Sequence, residues 1–348
     1  MAMSGGVDSS VSAAILKQKG YDVIGITMEI WPKRVDDFGG CCSASAVDDA
    51  KKVAGKLKIP HYVLNFREEF KEFVIDDFIQ EYRNGRTPNP CVRCNKHIKF
   101  DLLIKKADEL GADFVATGHY AVIAKGKTMY ELRKSSDKNK DQSYFLYDFP
   151  QEALKRTLFP LGKMTKTETR KLAKKLGLSV ADKKDSQEIC FIENNNYGSF
   201  VAQHSEPSRP GPIFSSEGAR LGMHKGIIYY TVGQRKGLGI PFGKPFYVIK
   251  IDPEQNAIIV GEESETYGKT LVAESFRWTS IEAPADVFPA KAKIRYMSEE
   301  VDAQIAPLEN GMVSVSFKKP VKAITPGQSV VLYKNDTVLG GGIICRTN

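Results

Sequence analysis

Seven residues near the start of the chain, Ser4-Gly5-Gly6-Val7-Asp8-Ser9-Ser10, constrain its fold more than any other stretch. Two adjacent glycines open directly into a helical pattern. Their backbone reaches conformations closed to other residues, and the amides at the helix start face outward. Such a loop cradles an anion, and the hydroxyls of Ser4, Ser9 and Ser10 add donors. Asp8 would repel a phosphate unless a cation lies between them, which points to Mg²⁺ at Asp8. The loop is not of the Gly-Lys-Ser/Thr kind. The plainer alternative is a Gly-Gly turn with Ser or Asp capping the helix. Loops of this type follow a buried strand, yet only Met1-Ala2-Met3 precede this one. Most of the opening strand is therefore expected to be missing, through a truncated chain start or a sheet that lacks it.

The rest of the first half alternates strand-like and helix-like segments. Residues 23–26, 61–65 and 114–119 read as strands, and residues 45–57, 68–82 and 98–110 as helices. That alternation gives the α/β class, with a doubly wound, Rossmann-like parallel sheet covered by helices on both faces. Ligands of such sheets bind beyond the carboxyl ends of the strands, where the Gly-Gly loop and the Thr117-Gly118-His119 turn would both lie. Thr165 and Glu168 form a capping-box pair at the start of a basic helix running to Leu176. Lys166, Arg170, Lys171, Lys174 and Lys175 make it positive, as a solvated face or a nucleic-acid contact. Residues 135–141 read as a flexible polar loop. Past residue 200 the pattern turns to short β runs at 227–231, 246–251, 257–260, 312–317 and 329–344, the last turning at Asn335-Asp336. The expected domains are 1–200, a central β-containing unit at 201–266, and a C-terminal β-barrel at 267–348.

At 348 residues with 42% hydrophobic and 26% charged content, the chain is globular. No apolar run approaches the roughly 20 residues that span a bilayer, so no membrane partner is expected. No signal peptide is seen, and the expected location is the cytoplasm. A net charge of +8 suits a polyanionic partner such as nucleic acid.

Six cysteines occur, at 41, 42, 91, 94, 190 and 345. A disulfide framework is not expected in a cytosolic chain of this length. Cys91 and Cys94 precede the helix expected from Ile98, close to Arg93, Lys96 and His97, a setting that lowers a thiol pKa and favours a nucleophile. Cys190 follows a polar run, at a strand end or in a loop. Three chemistries compete: a metal or iron–sulfur site on Cys91, Cys94 and Cys190, a dithiol redox pair, or sulfur transfer through a persulfide. Cys41-Cys42 read as unspecialised loop thiols, and Cys345 as core.

Several motifs together resemble one family, the tRNA-specific 2-thiouridylases. Ser4 to Ser10 is similar to its PP-loop, which ATP pyrophosphatases share more widely. Residues 87–95 (Thr-Pro-Asn-Pro-Cys-Val-Arg-Cys-Asn) resemble its first cysteine motif, and Ala116-Thr117-Gly118-His119-Tyr120-Ala121 its second ATP-side turn. Residues 140–146, 185–192 and 230–239 also match, and Arg295-Tyr296 and Pro326-Gly327-Gln328 extend the likeness to the end.

The resemblance implies ATP-dependent thiolation of the wobble uridine of tRNA at carbon 2. ATP adenylates the carbonyl oxygen, and persulfide sulfur then displaces AMP. It implies Cys190 as the persulfide carrier and Cys94 as the nucleophile that releases its terminal sulfur. It places ATP on Ala2, Met3, Ser4, Gly5, Gly6, Val7, Asp8 and Ser9, with Met28 and Gly118, and Mg²⁺ at Asp8. It places tRNA on Asn89, Pro90, Cys91, His119, Lys140, Asp141, Gln142, Arg295, Tyr296 and Gln328. The target base would be flipped out among Asn89, Pro90 and Cys91. Some family members carry Asp at the position of Cys91, so a role assigned to that Asp does not transfer. The implied partners are the lysine, glutamate and glutamine tRNAs and a sulfur-donor protein, a cysteine desulfurase or a relay. No permanently bound cofactor is expected. Three alternatives remain at this point. One is another PP-loop adenylating enzyme. The second is an RNA-binding protein whose ATP site is impaired by the short N-terminus. The third keeps the thiolation chemistry but places an iron–sulfur cluster on Cys91, Cys94 and Cys190.

Overall fold

The computed structural model describes residues 1–30, 44–184, 189–192, 196–240 and 245–347. Cys41, Cys42 and the run from Asp185 to Glu188 lie outside the described residues.

The first sheet is parallel and reads, edge to edge, Thr157–Leu158, Val115–Ala116, residues 1–3, Gly25–Glu29, His61–Asn65. The opening strand is therefore present as a central stub. Ala2 N donates to Ala116 O at 2.8 Å, Met3 N to Ile26 O at 2.8 Å, and Ile26 N to Met1 O at 2.9 Å. Three residues suffice because neighbours bond them on both sides and their side chains alternate across the sheet. Met3 joins a core built from Val7, Val11, Ala50, Val53 and Ala173, on helices Val7–Gln18, Ala44–Leu57 and Lys166–Lys175. Ala2 joins Ile26 and Val115 against Leu103 and Ala107 of helix Leu103–Glu109. The doubly wound reading holds, and residues 1–3 sit where the strand order reverses, the crevice in which such sheets bind ligands.

Two helices depart from a plain α pattern. The stretch expected as one helix over 68–82 is Arg67–Phe70, a π-helical segment Lys71–Asp76, then Asp77–Arg83. The helix expected from Ile98 starts at Pro90 instead. Asn89 caps it by accepting from Val92 N, and proline at the first helical position needs no amide partner. It runs Pro90–Arg93, then π-helical Cys94–Leu102, then Leu103–Glu109. Both cysteines of the first motif thus lie inside a helical segment.

The middle region forms a sheet ordered Arg220–His224, Gly211–Ser215, Ala257–Gly261, Tyr247–Asp252. The run at 227–231 is not a strand: Ile227–Tyr229 is a 3₁₀ turn entered through Gly226 at φ 138°. C-terminal strands Tyr267–Trp278, Val313–Lys322, Val301–Pro307, Phe288–Lys293, Ser329–Lys334 and Thr337–Thr347 pair in that order. The last returns to the first and closes a barrel. The hairpin Ala121–Lys125/Tyr130–Lys134 of the first half adds to this barrel's sheet, with Arg133 opposite Thr337. Tyr144 and Tyr147 share a core with barrel residues Val331, Tyr333 and Val338. Tyr144 Oη donates to Ser329 O at 2.8 Å. Cys345, expected in the core, is half-buried on the last strand, its thiol directed at Val272 O at 3.3 Å.

Candidate functional site

The Gly-Gly loop follows the central stub as the sheet topology requires. Gly5 takes φ +67°, and a Cβ there would stand 2.1 Å from Ala46 O, so only glycine lets the loop lie against helix Ala44–Leu57. Ser9 Oγ accepts from Ser4 N at 3.2 Å, and Ser10 Oγ donates to Gly6 O at 2.8 Å. These bonds hold the loop curved around the helix start. Gly118 closes the crevice from the next strand: a Cβ on it would lie 2.8 Å from Ser9 N. Ala2, Met3 and Val7 are buried, so they build the cradle rather than line it.

Asp8 is a third exposed and faces this crevice. Both its oxygens accept from Lys166 Nζ at 2.7 Å, and Oδ1 also accepts from Tyr120 Oη at 2.9 Å. The basic helix therefore does not present all its charge to solvent, since its first residue turns into the loop. Lys183 Nζ donates to Gly5 O at 3.1 Å and to Asp49 Oδ2 at 2.7 Å, bracing the loop from behind. The motif reading missed Lys166, Tyr120 and Lys183. A lysine at the first helical position opposes the helix dipole, which was the one available sign that its charge is neutralised elsewhere. The group fits a Mg²⁺ ion brought in by a nucleotide: one carboxylate as the oxygen ligand, with phosphates and water to complete the shell, while the hydroxyls and amides beside it suit phosphate oxygens.

The cysteine motifs meet over one apolar cluster. Phe70, Phe78, Ile98, Phe191, Ile192 and Phe200 are among its buried members, and Cys94, Ile189 and Met28 are among the residues packed against it. Phe191 meets Phe78 edge-on at 5.3 Å and Phe70 at 5.7 Å. Cys190 lies between the anchored residues Ile189 and Phe191, so the turn that carries it is seated on the cluster that holds Cys94. Met28, near the end of its strand, packs both on this cluster and on the one that holds Ala2 and Ile26 below the Gly-Gly loop. Cys94 is half-buried, whereas Cys91 and Cys190 are exposed. Among the described residues no three His, Cys, Asp or Glu side chains converge as metal ligands, so Cys91, Cys94 and Cys190 are not gathered into an iron–sulfur ligand set.

The cations flanking Cys94 are each engaged. Arg93 pairs with Asp77 at 3.1 Å, Lys96 with Asp148 at 2.7 Å, and His97 with Asp101 at 3.4 Å. Each of these cations thus shares its charge with a carboxylate. Burial raises the Asp77 carboxyl above its ordinary value, against the pull of Arg93. What the sequence did not reveal is that Cys94 opens a π-helical segment, a geometry frequent at functional sites.

The residues expected at tRNA fall into two groups. Asn89, Pro90 and Cys91 sit together at the helix start, the first half-buried, the second buried and the third exposed. The barrel clamps the irregular segment leading into them: Gln328 Nε2 donates to Thr87 O at 3.0 Å and Pro88 O at 3.1 Å, and Thr87 N to Pro326 O at 2.8 Å. Tyr296 stacks near Phe145 at 4.4 Å, and Arg295 donates to Lys322 O at 2.7 Å while burial lowers its pKa.

The second group is turned inward. Asp141 accepts from Ser135 N at 2.9 Å and from Ser143 Oγ at 2.8 Å, and burial raises its pKa. Gln142 Oε1 accepts from Tyr120 N at 2.9 Å. The stretch 135–141 is thus pinned rather than loose, with Ser135 itself buried. His119 bonds Thr117 Oγ1 at 2.7 Å with its ring against Phe159 and Phe100, and burial holds its pKa well below the ordinary value. Lys140 is half-exposed beside them.

Comparison with known proteins matches residues 1–194 to the family model "tRNA methyl transferase HUP domain". Residues 198–262 match "tRNA methyl transferase PRC-barrel domain", and residues 268–344 match "Aminomethyltransferase beta-barrel domain". The tRNA-specific 2-thiouridylase MnmA of Acetivibrio thermocellus is 53% identical over 351 residues, covering 99% of this chain and 98% of that protein. A protein of the same name from Clostridium perfringens is 52% identical over 348 residues, covering 99% of this chain and 97% of that one.

Proposed function

This chain belongs to the tRNA-specific 2-thiouridylase family, and from that premise we propose that it forms 2-thiouridine at the wobble position of tRNA in an ATP-dependent reaction in the cytoplasm. The observation that carries the reading is the shared apolar cluster: Cys94, the turn bearing Cys190 and Met28 of the nucleotide side are seated on one body. A two-cysteine sulfur relay needs that juxtaposition.

ATP lies with its phosphates over Ser4 to Ser9, under the turn carrying Gly118. The loop amides and hydroxyls hold the phosphate oxygens, and Asp8 holds Mg²⁺ when the nucleotide brings it. Mg²⁺ supplies charge neutralisation of the pyrophosphate that leaves. The wobble uridine is flipped out beside Asn89, Pro90 and Cys91. Its O2 forms a bond to the α-phosphorus as the bond to the bridging oxygen breaks, and pyrophosphate departs with that electron pair. The terminal sulfur of a Cys190 persulfide then forms the bond to C2, and the C2–O bond breaks to release AMP. Cys94 attacks the inner sulfur of Cys190 as the persulfide bond breaks. The result is a disulfide, which a dithiol reductant returns to two thiols. A sulfur-donor protein reloads Cys190. The polyanionic partner explains the net charge of +8, and tRNA affinity falls with salt as counterions compete. The lysine, glutamate and glutamine acceptors are the substrates the family implies.

The test is thiolation of unmodified tRNA with ATP, Mg²⁺ and a sulfur donor, read as 2-thiouridine after digestion to nucleosides. Wild type makes it, and Cys94→Ala and Cys190→Ala do not. Undiminished product from both variants overturns the relay.

A further inference from the structure

Asp8 and Lys166 stand 158 positions apart in sequence, yet Nζ lies 2.7 Å from each carboxylate oxygen. The lysine side chain is 12% exposed against 32% for its partner, so the ammonium is held inside the crevice and not merely near it. Its placement is electrostatically costly, because Lys166 is the first residue of its helix, where a cation opposes the dipole. The local structure compensates. Lys166 N donates to Asp137 Oδ2 at 2.8 Å, and Tyr120 Oη, wedged 3.0 Å from Thr169 Oγ1, fixes the same Asp8 oxygen. A rigid scaffold thus aims a lysine at the one group in the cradle that a nucleotide-borne cation would claim.

We propose that Lys166 is a phosphate ligand of the adenylation step, kept on Asp8 until nucleotide arrives. This rests on the ATP reading above. When Mg²⁺ takes Asp8, the ammonium passes to oxygens of the β- and γ-phosphates. As O2 of the substrate bonds to the α-phosphorus and the α,β-bridging bond breaks, Lys166 offsets the charge that leaves on pyrophosphate. AMP lacks those phosphates and gains nothing from Lys166.

The test is binding of inorganic pyrophosphate and of AMP, measured by calorimetry in metal-free buffer, to four proteins: wild type, Asp8→Asn, Lys166→Gln and the double variant. Asp8→Asn releases Lys166 and removes a repulsive carboxylate, so it binds pyrophosphate about tenfold tighter than wild type. The double variant loses that gain, and AMP affinity is alike in all four. The double variant leaves no orphaned charge, so the comparison stands even where Lys166→Gln alone fails to fold. Equal pyrophosphate affinity in Asp8→Asn and the double variant, or parallel changes in AMP affinity, overturns the proposal while leaving the ATP reading intact. Failure of wild type to bind either ATP with Mg²⁺ or AMP overturns both.

Discussion

Gly118 and Ser9 meet through their backbones: a Cβ built on Gly118 would lie 2.8 Å from Ser9 N and 2.9 Å from the carbonyl carbon of Asp8. Gly118 lies just past the strand Val115–Ala116 and Ser9 in the first turn of helix Val7–Gln18, and their contact is the floor of the crevice. The neighbouring atoms are backbone and cannot rotate away. Gly118→Ala therefore pushes the loop out of shape, at about 1–3 kcal/mol of stability for an overpacked site. Its main signature is functional. ATP affinity, measured by calorimetry, falls while tRNA affinity holds. Unchanged ATP binding would show that the loop does not depend on this contact.

Gln328 ties the barrel to the entry of the cysteine motif through donation to Thr87 O and Pro88 O. Gln328→Ala removes both bonds and leaves two part-buried carbonyls, at about 1–3 kcal/mol. Gln328→Glu is worse, since a carboxylate then faces two carbonyl oxygens. The expected order of 2-thiouridine formation is wild type, then Ala, then Glu, with Cys190 persulfide loading equal in all three. A glutamate variant as active as wild type would remove this clamp from the account.

The half-buried imidazole of His119 gives a pH dependence with a fixed sign. Burial, assisted by the charge of Lys99, depresses its folded-state pKa well below the ordinary value near 6.5. Its contribution is full above the ordinary pKa and is lost as pH falls toward the depressed one, because the unfolded chain takes up the proton first. His61 and His224 are depressed in the same direction. Thermal stability thus declines as pH falls below about 6.5, the ordinary histidine value. His119→Gln flattens that decline, and a variant with the wild-type slope would place the effect on the other histidines.

Much of the site was legible because its motifs are local. The Gly-Gly loop and the Thr117-Gly118 turn each depend on residues within a few positions. Long-range geometry was not legible. The three-residue opening strand looked absent because its stability comes from Ala116 and Ile26, not from its own length. Lys166 looked like part of a solvated face because its partner is far away in sequence. A polar run likewise does not reveal that Asp141 bonds Ser135 and Ser143 and that Gln142 bonds the Tyr120 amide. The hairpin from 121 to 134 gave no sign that it would extend a barrel built some two hundred residues later.

The central claim is that uridine O2 becomes the oxygen of an AMP leaving group. Its most direct measurement uses tRNA carrying oxygen-18 at C2 of the wobble uridine, incubated with ATP, Mg²⁺ and persulfide-loaded protein, with mass spectrometry of the nucleotide products. The account predicts AMP bearing one oxygen-18 atom for every 2-thiouridine formed, with unlabelled pyrophosphate beside it. Thiouridine accompanied by unlabelled AMP, or by ADP and phosphate, would contradict it.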